Sequence, residues 1–238
     1  MRERVKVEIL IVLAVTFGTA GLRAGLRLID ALLSAPLNQQ TTVLVDAQSS
    51  VTWMDLALQL TSALVLVSWG ALAWYLLWVD DPSRFRWRWP RMSDWGWGAG
   101  LAALIGLPGL AFYVAAVHLG LSKVVVPATD AVQVPTSLLW AFANGFGEEI
   151  VVVMYVMTRL VQLGWKPWQV IAASSVLRGS YHLYQGISAG VGNIVMGVVF
   201  CAWFARTGRV WPLVIAHFLI DATAFTLYPI LDLSWLGI

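Results

Sequence analysis

Long apolar runs constrain the fold of this chain more than any other feature of its sequence. Runs of roughly 17–25 residues recur along its length, and each is long enough to cross about 30 Å of hydrocarbon as an α-helix. Of the 238 residues, 59% are hydrophobic and 12% are charged, and this charged fraction is about half that of a typical soluble domain. We therefore expect an all-α, polytopic transmembrane helix bundle.

The apolar runs predict about seven spans in a single integral-membrane domain, residues 1–238. The predicted spans are 8–33, 53–79, 95–118, 131–160, 168–186, 190–205 and 210–229. Three of them form an N-terminal part, 1–130, and four form a core, 131–229. The first run resembles a signal peptide, but Glu3 and Glu8 dilute its basic segment, so we expect a retained helix.

Basic residues predict the orientation, because positively charged loops resist translocation. Eleven of them occupy alternate connections between the predicted spans: Arg2, Arg4, Lys6, Arg84, Arg86, Arg88, Arg91, Arg159, Lys166, Arg206 and Arg209. The opposite side has only Lys123. This distribution places the N-terminus in the cytoplasm and the C-terminus outside, in a multi-pass protein of the cell (plasma) membrane.

The charge of the chain indicates the lipid bilayer rather than a nucleic acid as its partner. The formal net charge of +2 is too small to indicate nucleic-acid binding. In residues 84–91 arginine alternates with aromatic residues, as in some RNA-binding segments. This stretch lies between two predicted spans, so we interpret it as a contact with lipid headgroups.

Six ionisable residues fall inside the predicted core spans: Glu148, Glu149, Arg178, His182, His217 and Asp221. Such groups cost several kcal/mol each in hydrocarbon and rarely occur there without a partner or a task. At about 1.5 Å of helical rise per residue, Glu149 lies about 15 Å from Arg159, and Asp221 about 18 Å from Arg209. We expect the six residues to lie in one layer near the membrane centre.

Helical spacing predicts how these side chains face. Arg178 and His182 are four residues apart and share a face, as do His217 and Asp221. Each pair can therefore point into the bundle.

The two adjacent glutamates are expected to face different directions from their predicted helix. Glu148 and Glu149 diverge by about 100° around their helix, so we expect them to have different roles. Gly145 and Gly147 precede them and lack side-chain bulk, which predicts a close helix approach or a local kink.

The residue types are suited to hydrolysis. A buried carboxylate can take a proton from water while an imidazole orients that water, and a second imidazole paired with an aspartate can hold the oxyanion. Glu148, His182, His217 and Asp221 also include typical zinc ligands. The sequence lacks His-Glu-x-x-His, so we expect no metal cofactor and keep zinc as the alternative.

Three short motifs carry a resemblance to a known family. They are Glu148-Glu149-Ile-Val-Val-Val153, Arg178-Gly-Ser-Tyr-His182 and His217-Phe-Leu-Ile-Asp221. Over roughly residues 140–225 the chain resembles the CAAX prenyl-protease and bacteriocin-processing (CPBP, Abi) family of intramembrane glutamate endopeptidases. The family pattern has two glutamates followed by Arg after three residues, then Phe-x-x-x-His, then His-x-x-x-Asn or Asp.

The resemblance implies a hydrolase and a role for each site residue. It implies that Glu148 activates water with His182 as its partner, that His217 and Asp221 hold the oxyanion, and that Glu149 has a supporting role. It also implies a substrate peptide or protein anchored in the membrane, with or without a prenyl group.

Two positions depart from the family pattern. Val153 stands where the family has Arg, and Arg178 stands where it has Phe. We hypothesise that Arg178 supplies the missing charge and pairs with Glu149, because a carboxylate in hydrocarbon requires a partner.

Two other classes of function remain open. A non-catalytic membrane scaffold or regulator of the same fold would be compatible with Val153. A proton-coupled transporter could use the same groups as a relay, although the sequence has no internal repeat of the kind found in many transporters.

Overall fold

The computed structural model describes residues 2–126 and 134–227. Within these ranges the chain is all-α apart from short irregular segments and two short strands. The elements are α1 (Arg2–Val15), α2 (Phe17–Ser34), β1 (Thr41–Val43), α3 (Thr52–Asp80), α4 (Met92–His118), β2 (Val124–Val126), α5 (Val134–Glu148), α6 (Val156–Gln162), α7 (Pro167–His182), α8 (Ile187–Thr207) and α9 (Trp211–Ala222). The two strands pair in a two-stranded sheet, which the sequence analysis did not predict.

Four helical segments of the described ranges are long and apolar enough to cross a membrane. They are α3, α4, the continuous segment Val134–Gln162 and α8. The bent pair of α1 and α2 would make a fifth span. Helix α7 has 16 residues, or about 24 Å, and the apolar helix Trp211–Thr226, which includes α9, also falls short of the length needed to cross a membrane. The structure therefore supports four to five of the seven predicted spans.

The first predicted span, 8–33, is two helices rather than one. Helices α1 and α2 are bent by 49° relative to each other at Thr16. The Thr16 hydroxyl donates a 2.6 Å hydrogen bond to the carbonyl of Val12, one turn earlier. Such back-bonding by Ser or Thr is associated with helix bending, which accounts for part of this break.

One compact unit comprises Met1–Gln40, Gly109–Val124 and Ile150–Val210. Within it, α7 and α8 approach closely, because a Cβ atom at Gly179 would lie 2.6 Å from the carbonyl oxygen of Gly190. The two helices are joined by a single 3-10 turn, Leu183–Gln185, and by Gly186 at φ 127°. This turn ends α7 at His182, four residues before the predicted end of that span.

Arg159 is a buried residue of the same unit, although the sequence analysis placed it in a loop. Its side chain is fully buried in α6. Its Nη2 lies 2.6 Å from Oε1 of Glu8 in α1, and its Nε donates to the same oxygen at 2.8 Å. The Tyr155 hydroxyl also donates to that oxygen, at 3.0 Å. Arg159 therefore ties the N-terminal helix to α6 instead of marking the membrane surface.

The second compact unit comprises Thr41–Pro108, Val125–Glu149 and Trp211–Ile238. In it, α5 lies close to two neighbours through the glycines that the sequence singled out. A Cβ atom at Gly145 would lie 2.9 Å from the carbonyl oxygen of Val214 in α9, and one at Gly147 would lie 2.8 Å from that of Leu66 in α3. The predicted close helix approach is therefore present on both sides of α5.

A π-helical segment, Glu149–Tyr155, connects α5 to α6. A π-helix has i→i+5 hydrogen bonds and a wider turn than an α-helix, and such segments occur frequently at functional sites. It begins at the second of the two adjacent glutamates.

Candidate active site

The imidazole of His217 is placed between two carboxylates of its own compact unit. Its Nδ1 lies 2.7 Å from Oε1 of Glu149, and its Nε2 lies 3.6 Å from Oδ2 of Asp221. The first distance is that of a charge-assisted hydrogen bond, while the second is an ion-pair distance without a direct hydrogen bond. Glu149 is fully buried and His217 is 4% exposed. The ring is thus held as a hydrogen-bond donor in a water-poor environment.

Helical geometry explains why these side chains meet. His217 and Asp221 are four residues apart in α9 and share a face, as predicted. Gly145 allows the backbone of α9 to approach α5, since a Cβ at this position would lie 2.9 Å from the carbonyl oxygen of Val214. The close contact brings the imidazole to the beginning of the π-helical segment, where Glu149 lies.

Asn144 extends this cluster, and the sequence analysis missed it. Its Nδ2 donates a 2.9 Å hydrogen bond to Oδ2 of Asp221, the same oxygen that faces His217. One sequence signal could have found it, because Asn144 is a polar residue in the apolar stretch 138–147 and lies one turn before Glu148. The four residues Asn144, Asp221, His217 and Glu149 form one connected polar group between α5 and α9.

Glu148 lies beside this group and has a different environment from Glu149. Both side chains are buried, at 6% and 0% exposure respectively. The short contact with His217 belongs to Glu149. The different roles expected for the two glutamates stay a prediction.

His182 and Arg178 lie in α7, within the other compact unit. Nδ1 of His182 lies 3.0 Å from the carbonyl oxygen of Arg178, one turn earlier. A carbonyl oxygen can only accept, so Nδ1 carries the proton of this hydrogen bond.

Arg178 is fully buried against α8. Its Nη1 lies 4.0 Å from Sδ of Met196, and its guanidinium carbon lies 5.5 Å from the centre of the Phe200 ring. A cation–π contact with an aromatic ring partly offsets the loss of water around a buried guanidinium. Its pairing with Glu149 stays a prediction.

The two carboxylates around His217 have different hydrogen-bond partners, and the oxyanion role expected for His217 and Asp221 stays a prediction. In the structure the hydrogen-bonded carboxylate belongs to Glu149, and Asp221 is instead oriented by Asn144. In the described residues no group of three or more His, Cys, Asp or Glu side chains is arranged to hold a metal ion.

These features define a class of membrane protein with several apolar helices and a buried acid–imidazole group between two of them. The family model described as Type II CAAX prenyl endopeptidase Rce1-like matches residues 130–223. The matched segment includes all six residues of the predicted cluster, and it confirms the family resemblance drawn from the three motifs. Searches of the curated proteins and of the solved structures found no match to this chain.

Proposed function

We propose that this chain is an intramembrane endopeptidase that hydrolyses a peptide bond of a membrane-associated substrate. The observation that carries the proposal is the buried group of Glu149, His217, Asp221 and Asn144 within the segment that matches a CAAX-type protease family. Buried charged groups in a membrane protein are rarely kept without a functional task.

The proposed mechanism uses water as the nucleophile. Glu148 takes a proton from a water molecule that His182 orients, and the resulting hydroxide attacks the carbonyl carbon of the scissile bond. The tetrahedral intermediate then collapses, the C–N bond breaks, and the proton passes from Glu148 to the leaving amine. Glu148 and His182 receive these roles from the family resemblance and from the residue chemistry.

His217 is proposed to stabilise the oxyanion of the intermediate, with Asp221 beside it. Preorganised donors in a water-poor site contribute most where charge develops in the transition state. Glu149 supports this role, because its 2.7 Å contact fixes the ring orientation of His217. Arg178 is proposed to balance the charge of Glu149 in place of the missing arginine at Val153.

The proposed enzyme needs no metal cofactor, and zinc is the alternative. Its substrate is a membrane-anchored peptide or protein, with or without a prenyl group. The proposed topology has seven spans with the N-terminus in the cytoplasm, in the plasma membrane. Helices α7 and α9 would then be short spans.

One observation favours a second function, a non-catalytic scaffold or regulator of the same fold. The family arginine is replaced by Val153, which is fully buried. The two functions separate in one experiment, in which purified protein is incubated with a library of membrane-tethered peptides with and without a chelator. Chelator-resistant cleavage that is lost in Glu148→Ala supports the protease, and a wild type without cleavage supports the scaffold. Cleavage abolished by the chelator would indicate zinc.

A further inference from the structure

The connection between α3 and α4, residues 81–91, has a fixed shape at both ends. We call it the arginine loop. At its start Oδ1 of Asp81 accepts from the Ser83 hydroxyl at 2.7 Å and from the Arg84 N–H at 3.0 Å. The hydrogen bond from Ser83 is the main reason that the pKa of Asp81 is lowered. At its end Oδ2 of Asp94 accepts from the Arg91 N–H at 2.7 Å.

Two tryptophans hold the middle of the arginine loop by its backbone. The indole N–H of Trp74 donates to the carbonyl of Phe85 at 2.8 Å, and that of Trp211 donates to the carbonyl of Arg88 at 2.6 Å. The ring of Trp87 packs edge-on against both indoles, at centroid distances of 5.2 and 5.4 Å. Phe85 is buried. The aromatic residues of the alternating pattern therefore fasten the loop to the helices.

The arginines of the same pattern point away from the protein. Arg84, Arg86, Arg88 and Arg91 are all exposed, and within residues 2–126 and 134–227 none of their guanidinium groups forms an ion pair. Among these groups, the guanidinium carbon of Arg84 lies 5.2 Å from the centre of the Phe85 ring, and the positive charge of Arg84 contributes to the lowered pKa of Asp81. Four cationic groups are thus presented together on a backbone that hydrogen bonds hold in place.

The surroundings of the arginine loop indicate where these cations lie in the membrane. Trp89 in the loop, and Met92, Trp95 and Trp97 just after it, have exposed side chains. Exposed tryptophans of a membrane protein are enriched at the level of the lipid headgroups. The guanidinium groups therefore lie at headgroup depth, where the available anions are lipid phosphates.

The geometry of the loop fits phosphate groups. Residues 86–90 have no helical or turn structure, and in extended chain the side chains of Arg86 and Arg88 lie on the same side, about 6–7 Å apart. Guanidinium binds phosphate through two parallel hydrogen bonds, which makes arginine well suited to this anion. We propose that the arginine loop is a binding site for the headgroups of anionic phospholipids. This inference does not depend on the proposed protease activity.

Native mass spectrometry of the purified full chain tests the proposal, with phosphatidylglycerol and phosphatidylcholine as probes. Wild type is expected to retain phosphatidylglycerol in preference to phosphatidylcholine. The quadruple variant R84Q/R86Q/R88Q/R91Q is expected to lose roughly ten- to a hundredfold of its affinity for phosphatidylglycerol, since basic residues at the surface each attract anionic lipid. The matched control R2Q/R23Q/R27Q/R206Q removes four exposed arginines elsewhere and is expected to keep the preference.

Several outcomes would overturn the proposal. One is an equal loss of phosphatidylglycerol affinity in the two quadruple variants, which would mean that the lipid is attracted by the overall positive charge and not by the arginine loop. Another is an unchanged preference for phosphatidylglycerol over phosphatidylcholine in the variant that lacks the loop arginines. Competition by an acidic peptide that displaces phosphatidylglycerol at equal concentration would indicate a protein partner instead.

A second variant tests whether lipid binding requires the fixed shape of the arginine loop or only its positive charge. Trp211→Phe keeps all four arginines but removes the indole N–H that holds the Arg88 carbonyl. We expect a several-fold loss of phosphatidylglycerol affinity in this variant, with an unchanged unfolding temperature. An affinity equal to that of wild type would show that the fixed shape of the loop is not required, and would contradict the proposed site.

Discussion

Glu149 holds His217 through a 2.7 Å contact between Oε1 and Nδ1, and this contact ties α9 to the start of the π-helical segment. It is a buried pair, so the loss of either partner leaves a polar group without water. Breaking such a pair typically costs about 3–5 kcal/mol. The contact therefore contributes to the stability of the fold as well as to the orientation of the imidazole.

The first prediction is that Glu149 and His217 are energetically coupled. Glu149→Gln and His217→Gln should each lower the free energy of unfolding, and the double variant should lose less than the sum of the two. A coupling of about 0.5–3 kcal/mol is expected for residues in contact. Equilibrium unfolding of all four proteins in detergent measures it, and purely additive effects would contradict the contact.

The second prediction concerns Asn144, which we expect to be a positioning residue for Asp221. Asn144→Ala removes the amide that orients Oδ2 of Asp221. We expect kcat to fall by roughly tenfold with little change in KM, because residues that orient a functional side chain typically change activity by about that factor when they are removed. Asn144→Asp places a second carboxylate beside Asp221 and should lower kcat further and change its pH profile. The control is Asn193→Ala, since the side chain of Asn193 bonds to the carbonyl of Ala189 in its own helix. Equal effects of Asn144→Ala and Asn193→Ala on kcat would rule out the positioning role.

Local patterns predicted the helices and the three motifs, whereas contacts between distant residues were not predictable. Apolar runs locate helices because burial in lipid depends on local composition. The pairing of Arg159 with Glu8 spans 151 residues, and that of Asn144 with Asp221 spans 77. Helical periodicity does not predict contacts between residues so far apart in sequence, so Arg159 was assigned to a loop and the partner of Asp221 was not identified.

Local irregularities were missed for a different reason. The π-helical segment and the bend at Thr16 are determined by which backbone hydrogen bonds form. A continuous α-helix would show nearly the same pattern of apolar side chains. The apolar content of 8–33 is continuous across the bend. The sequence therefore predicted one helix where the structure has two.

The third prediction is that the buried pair of Glu8 and Arg159 stabilises the fold. Glu8→Gln leaves the guanidinium of Arg159 buried opposite a neutral amide, and the free energy of unfolding should fall by about 3–5 kcal/mol. The matched control is Glu3→Gln in the same helix, because the pair of Glu3 with Lys6 is exposed and such pairs contribute little. Thermal unfolding in detergent should show a large shift for the first variant and none for the second. Similar shifts in both would argue against a structural role of the buried pair.

The fourth prediction concerns topology. Of the eleven basic residues used to orient the chain, ten remain after Arg159 is removed, so the expected orientation is unchanged. In a Cys201→Ser background, single cysteines at Ser83 and Thr207 should be protected from an impermeant thiol reagent added outside intact cells, and a cysteine at Gln39 should be labelled. All three positions are exposed in the structure. External labelling of the cysteine at Ser83 would invert the orientation or change the number of spans.

The most direct test of the central claim is the cleavage rate of Glu148→Gln and His182→Ala on a peptide that the wild type cleaves in liposomes. Each substitution removes one half of the proposed water-activating pair, and general acid–base catalysis typically contributes about 10²–10⁴-fold. We expect a loss of at least about a hundredfold in kcat for each variant, with folded protein confirmed by an unfolding temperature close to that of wild type. The exposed-residue variant Asp30→Asn should cleave like wild type. Wild-type turnover by either Glu148→Gln or His182→Ala would contradict the proposed mechanism.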